Sequence, residues 1–341
     1  MNVKSSRGRL GFTLVELMTV IAIIVLLIGV LIPALSSART SARKATTAGM
    51  IKAIDSGCEL FRNDFKQYPR SRGTNPFEHD NSQILLMGFQ WLGLQLVGPD
   101  SRGLVDWRNL GNDTNGDKVV DGEDWLEWYA INPQQDHKTY DRLGPYANVD
   151  GDAVQSIRTF KNVRTNHTDP PAQLIEGNTE WKNDKIPFFV DSFANPVLYY
   201  RANPQTDQPF TTGDRNGTLI VGQYDQTDNF AVTGTSGTDG YYADLITSAI
   251  EGWDIAGSGY AGNFAHDLGE FGYDPAQPTT FPQPKTFAYF FLDGKIFDST
   301  KDSNDKGRLW PYRPDTFILI SAGPDGVYGN SDDITNFQAA R

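Results

Sequence analysis

The sequence predicts an α+β protein: a long N-terminal helix, membrane-spanning in its first half, packed on a small antiparallel β-sheet, with a large irregular insertion between them. Three observations point there. From Phe12 to Leu35 run 24 residues whose only charge is Glu16. At about 1.5 Å of rise each they make a helix of roughly 36 Å, enough to cross a ~30 Å hydrocarbon core. Next, Ala38, Ala42, Ala45, Ala48, Ile51, Ile54, Cys58, Phe61 and Phe65 recur at spacings of three and four, then stop before Tyr68-Pro69, which is the pattern of an amphipathic helix ended by proline. Finally, the chain from Ile186 onward carries short apolar runs bounded by Asn, Asp and Gly, the mark of strands and turns.

Five segments follow from these patterns: a leader at 1–11, a transmembrane helix at 12–35, the soluble half of the same helix at 36–69, an irregular, turn-rich segment at 70–185 and a β-domain at 186–341. The leader holds Lys4, Arg7 and Arg9 and no acid, so it reads as an address rather than as structure. An ordinary secretory signal has an uncharged core of roughly 7 to 15 residues. This one is longer and opens with Glu16, while a plain anchor helix fits the composition as well. An ionised group in a membrane helix costs at least ~2.5 kcal/mol, so Glu16 asks for a partner. Pro33 is expected to loosen the helix rather than end it. Basic residues lie on both sides of the span, with Arg39, Arg43 and Lys44 beyond it, so charge alone leaves the orientation open.

The body is acidic. Residues 1–66 hold nine Lys/Arg against four Asp/Glu, a net of +5, and the whole chain carries −12, which leaves −17 for the remainder. That balance argues against nucleic acid as a partner and suits cation binding. Cys58 is the only cysteine, so no internal disulfide exists, and its apolar neighbours predict a buried, inert thiol. In the insertion, Ile84 to Leu96 is expected to be helical around Trp91. In the β-domain, strands are expected at Ile186–Val190 and Pro196–Ala202 about the turn 191–195, then at Thr218–Val221. A long loop over 226–272 with one short helix at Ala243–Ile250, a hairpin over 286–297 and a last buried strand at Thr316–Ser321 complete the domain. His79, His137, His167 and His266 are scattered without zinc spacing. The G-x-G-x-x-G at 257–262 has neither strand before it nor helix after it. No residue set proposes itself for catalysis, and the chain is not expected to be an enzyme.

Two loops suggest metal. Asp113, Asn115, Asp117, Asp121 and Asp124 place oxygens at positions 1, 3, 5, 9 and 12 of a segment that resembles the calcium loop of dockerins and EF-hands. Lys118 departs from that pattern where the turn normally holds glycine. A second fragment, Asn148-Val149-Asp150-Gly151-Asp152, repeats only the opening ligands.

Gly11-Phe12-Thr13-Leu14-Val15-Glu16 resembles the class III leader junction of type IV pilins and of type II secretion pseudopilins. The resemblance implies cleavage after Gly11 by a prepilin peptidase, methylation of Phe12, and pairing of Glu16 with the Phe12 amine of a neighbouring copy during filament assembly. It also implies a single-pass protein of a bacterial inner membrane, with its N-terminus cytoplasmic and its body periplasmic, extractable into a pseudopilus by an inner-membrane secretion platform. Asp191-Ser192-Phe193-Ala194-Asn195-Pro196 resembles, with three substitutions in six, the Asp-Pro-Trp-Gly-Asn-Pro turn of the major pseudopilin. The end of the chain, Ser321-Ala322-Gly323-Pro324-Asp325-Gly326 followed by Asp332-Asp333, is similar to that subunit's C-terminal calcium loop. There the resemblance implies calcium held by Asp325 with Asp332 or Asp333. The function expected is therefore a pseudopilin of the major type. The alternatives are a type IV pilin or minor pilin with an enlarged head, and a monomeric anchored calcium-binding protein.

Overall fold

One helix, α1 (Leu14–Phe65), runs for 52 residues with Pro33 inside it. The computed structural model describes residues 14–74, 85–98, 101–106, 142–156, 186–206, 212–213, 219–220, 223–229, 265–266, 291, 293, 310–329 and 331–337. Proline lacks the N–H that would bond to the carbonyl four residues back, that of Gly29, and α1 continues through the missing bond. α1 ends where Lys66 turns left-handed at φ 59° and its N–H closes on the Arg62 carbonyl at 2.8 Å, with Pro69 just beyond.

The chain divides into two units, Met1–Ala45 and Thr46–Arg341. Within the first, the large apolar side chains of α1 from Leu14 to Leu35 keep 45% to 70% of their surface. Among the described residues this is one helix long and apolar enough to cross a membrane.

The second unit is α+β. In chain order it holds β1 (Gly73–Thr74), β2 (Leu85–Leu86), α2 (Gly88–Val97), β3 (Leu104–Val105), β4 (Arg142–Leu143), a 3-10 turn at Gly151–Ala153, β5 (Val154–Gln155) and β6 (Phe188–Phe189). Then come β7 (Leu198–Arg201), β8 (Thr212–Gly213), β9 (Leu219–Ile220), a second 3-10 turn at Gln226–Asn229, β10 (Ala265–His266), β11 (Phe317–Ser321), β12 (Val327–Tyr328) and β13 (Ile334–Thr335). The central sheet has the order β13-β11-β7 and is antiparallel throughout, with Ile318 opposite Tyr200 and Ser321 opposite Ile334. All five residues of β11 are buried, the signature of a strand covered on both faces.

The core joins the stripe of α1 to the sheet through α2. Ile51, Ile54, Cys58 and Phe61 of α1 share one cluster with Trp91, Leu92, Leu94 and Leu96 of α2 and with Tyr199, Phe317 and Leu319 of the sheet. α2 is buried on every side, its mostly apolar surface covered and Gln90 and Gln95 buried with it. It approaches β6 so closely that a Cβ on Gly93 would lie 2.0 Å from the Pro187 carbonyl oxygen. Residues 88–97 therefore supply the centre of the body, although they fall inside the segment that the sequence marks as an insertion.

Several expectations shift. The helix expected over Ile84–Leu96 begins at Gly88, because Leu85–Leu86 pairs with Gly73–Thr74 instead. The buried strand expected at Thr316–Ser321 runs over Phe317–Ser321, and two short strands, β12 and β13, follow it. Of the hairpin expected over 286–297 only Phe291 and Asp293 are described, and the rest lies outside the described residues; the Asp293 N–H donates to the Trp310 carbonyl and the Tyr312 N–H to the Phe291 carbonyl, at 2.9 and 2.8 Å. Phe291 is helical and stacks with Tyr224, so its side chain is held by the core rather than by a local turn. The helix expected at Ala243–Ile250 lies outside the described residues.

Candidate functional site

Gly11 and Phe12 lie outside the described residues. Glu16 sits in the first turn of α1, exposed, and Thr19 donates its hydroxyl to the Glu16 carbonyl at 2.9 Å. The helix dipole favours an acid there by about 0.3 to 1 kcal/mol. That is less than the ~2.5 kcal/mol or more charged for an ionised group in hydrocarbon, so the dipole alone does not offset the cost. An opposite charge from a neighbour would.

At the other end of the chain, two stretches distant in sequence are tied into one knot. Asp191 Oδ1 accepts the N–H groups of Phe193 and Asn195, both at 2.8 Å. Its Oδ2 accepts the Ser321 hydroxyl at 2.6 Å and the Asn195 side-chain amide at 3.3 Å. The same amide donates to the Gly323 carbonyl at 3.1 Å. Burial pushes the Asp191 carboxyl above its ordinary range, and the bonds from Ser321, Asn195 and Phe193 pull the other way. The turn also reaches α1, where Ser192 donates its N–H to the Thr47 hydroxyl at 3.2 Å. Ala194 adopts φ 68°, a left-handed conformation that favours glycine.

Beyond β11 the chain turns at Gly323, whose φ is 64° and where a Cβ would lie 2.4 Å from the Asp332 carbonyl oxygen. Only glycine fits that approach. Asp333 is buried, and its Oδ2 accepts the Gly329 N–H at 2.7 Å. Tyr328 is buried, donates its hydroxyl to the Pro196 carbonyl at 2.6 Å and has its phenol pushed upward by burial and by the charges of Asp191 and Asp333. Asp325 and Asp332 are half-buried on the same loop.

Among the described residues no three His, Cys, Asp or Glu side chains are grouped to hold a metal. Calcium needs six to eight oxygens at ~2.3 to 2.6 Å. On this loop Asp333 Oδ2 is already taken by the Gly329 N–H. Asp113, Asn115, Asp117, Asp121 and Asp124 lie outside the described residues.

A second tie was not legible in the sequence. Arg313 and Asn336, on either side of β11, both donate to Asp55 Oδ1 of α1 at 2.8 Å, and Asn336 Oδ1 accepts the Leu319 N–H at 2.9 Å. These residues carry no motif. Cys58 is buried and its thiol is pushed well up by burial, which fits an inert core thiol.

No family model, curated protein or solved structure matches this chain.

Proposed function

We propose that the chain is a pseudopilin-like subunit, processed after Gly11, that assembles through α1 into a filament driving protein export by a type II secretion system. One observation carries the reading: the ordered junction Gly11-Phe12-Thr13-Leu14-Val15-Glu16 runs directly into a 52-residue helix whose apolar half is exposed. Exposed apolar surface of that extent needs lipid or other copies of itself. In a filament the helices supply that cover, and Glu16 meets the cationic Phe12 amine of the next copy, so two charges that are each costly in an apolar interior neutralise one another. The prepilin peptidase, the inner-membrane platform and the periplasmic placement of the body belong to the same proposal. So does calcium on the loop that holds Asp325, Asp332 and Asp333.

The test is the mature N-terminus. Mass spectrometry of protein extracted from membranes is expected to find methylated Phe12 as the first residue. A first residue at Ser36 or Ser37, the cut of an ordinary signal, would overturn the proposal.

The second reading is a type IV pilin whose enlarged head binds a surface or a partner. The 116 residues from 70 to 185 favour it. Genes for a secretin and its platform beside this one favour the first reading, and genes for a retraction motor the second.

A further inference from the structure

An open cleft of about 550 Å³ lies within the second unit. Gly49, Met50 and Ala53 of α1 form one wall, Val149, Asp150 and Asp152 the other, and residues 190–192 the floor. The second wall is built by backbone bonds, with Ala153 N–H on the Asp150 carbonyl at 2.9 Å and Val190 N–H on the Ala153 carbonyl at 2.8 Å. Asp150 and Asp152 remain exposed at its rim. A Cβ on Gly49 would meet nothing within 4 Å, so the described residues leave the space beside that wall open.

We infer that this cleft receives the basic segment Arg39–Lys44 of a second copy of the chain. The inference rests on the filament reading above. Charge complementarity selects the occupant: Arg39, Arg43 and Lys44 stand in a stretch of α1 with no acid between Glu16 and Asp55, whereas the rim they would meet is acidic. Register agrees. If Glu16 of one copy meets Phe12 of the next, neighbouring helices are offset by four residues, about 6 Å at 1.5 Å per residue. Residues 42–46 of one helix then come level with 46–50 of the other, which places Arg43 and Lys44 beside the wall that carries Gly49 and Met50. Small residues on that wall let a second helix approach, and the long basic side chains reach across the cleft to Asp150 and Asp152. The fragment Asn148–Asp152, which in sequence looked like half of a calcium loop, becomes an acidic receptor for a neighbour.

The experiment is disulfide trapping in membranes with two co-expressed full-length versions of the chain. One pair, Arg43→Cys with Asp150→Cys, reports the cleft; another, Leu17→Cys with Ile21→Cys, reports packing of the apolar halves. The native Cys58 is fully buried and supplies no competing thiol. Both pairs are expected to yield cross-linked dimers. Asp152→Arg is expected to lower the cleft dimer about two- to fivefold through a lost rim ion pair. Gly49→Leu is expected to block the cleft dimer while leaving the melting temperature of the body unchanged. If the apolar pair links and the cleft pair does not, the cleft inference is overturned and the filament reading stands. If neither links, both fall. A Gly49→Leu variant that loses secretion although no cleft dimer ever formed in its parent would assign the cleft to a different partner and also overturn the inference.

Discussion

The two halves of α1 differ in how they meet their surroundings. Between Leu14 and Leu35 the helix is apolar on all sides and its large side chains are exposed. Between Ile51 and Phe61 it is apolar on one stripe, and Ile51, Ile54, Cys58 and Phe61 keep at most 2% of their surface. A helix with one apolar stripe can satisfy it within its own domain, whereas a helix apolar all round needs a medium or a neighbour to cover it. The first half is therefore built for what lies outside the chain, and the second is part of a core.

That contrast can be broken most sharply at Glu16. Glu16→Ala is expected to leave processing and membrane insertion intact while abolishing filaments or secretion, with no change in the melting of the body. Unchanged filament yield would remove the carboxylate from assembly.

In the other half the largest effect is expected at Asp191. Asp191→Ala leaves the N–H groups of Phe193 and Asn195 and the hydroxyl of Ser321 without their acceptor inside the body. A loss of roughly 3 to 5 kcal/mol is expected in denaturant unfolding of the body. Membrane insertion of α1 should not respond. A loss below about 1 kcal/mol would mean that the turn and the C-terminal loop hold together without this knot.

Calcium sharpens the comparison further, because it would act on the body alone. At a hundred times its dissociation constant an ion stabilises the folded state by about 2.7 kcal/mol. Calcium is expected to raise the melting temperature, and Asp325→Ala to remove most of the rise. A melting curve unmoved by chelator would remove calcium from the body.

The smallest effect is a gain. Ala194 holds φ 68° in the turn after Asp191, where a side chain is unfavourable and glycine is not. Ala194→Gly is expected to stabilise the body by about 0.5 to 1 kcal/mol, because relief of left-handed strain outweighs the added freedom of the unfolded chain. A destabilised variant would show that the strain is not felt.

The sequence by itself determined α1, its apolar half, the stripe from Ile51 to Phe61 and the burial of β11. In each the information is local: hydrophobic periodicity and unbroken apolar runs need no partner to be read. Asp191, Asn195 and Ser321 were visible as members of two turns, but not as partners of one another. Their bonds span up to 130 residues, and no spacing rule reaches that far. Asn229 illustrates the same limit. Its side chain accepts the Phe89 N–H at the start of α2, 140 residues away, and donates to the Tyr199 carbonyl at 2.7 Å. It thus supplies an orphan helix donor with the cap that Met87 does not. The central place of α2 was hidden in the same way, since ten mostly apolar residues read as a helix without saying what surrounds them. Which groups a buried polar side chain satisfies, and which element fills the middle of a core, follow from close packing of distant segments, and only the tertiary structure decided them.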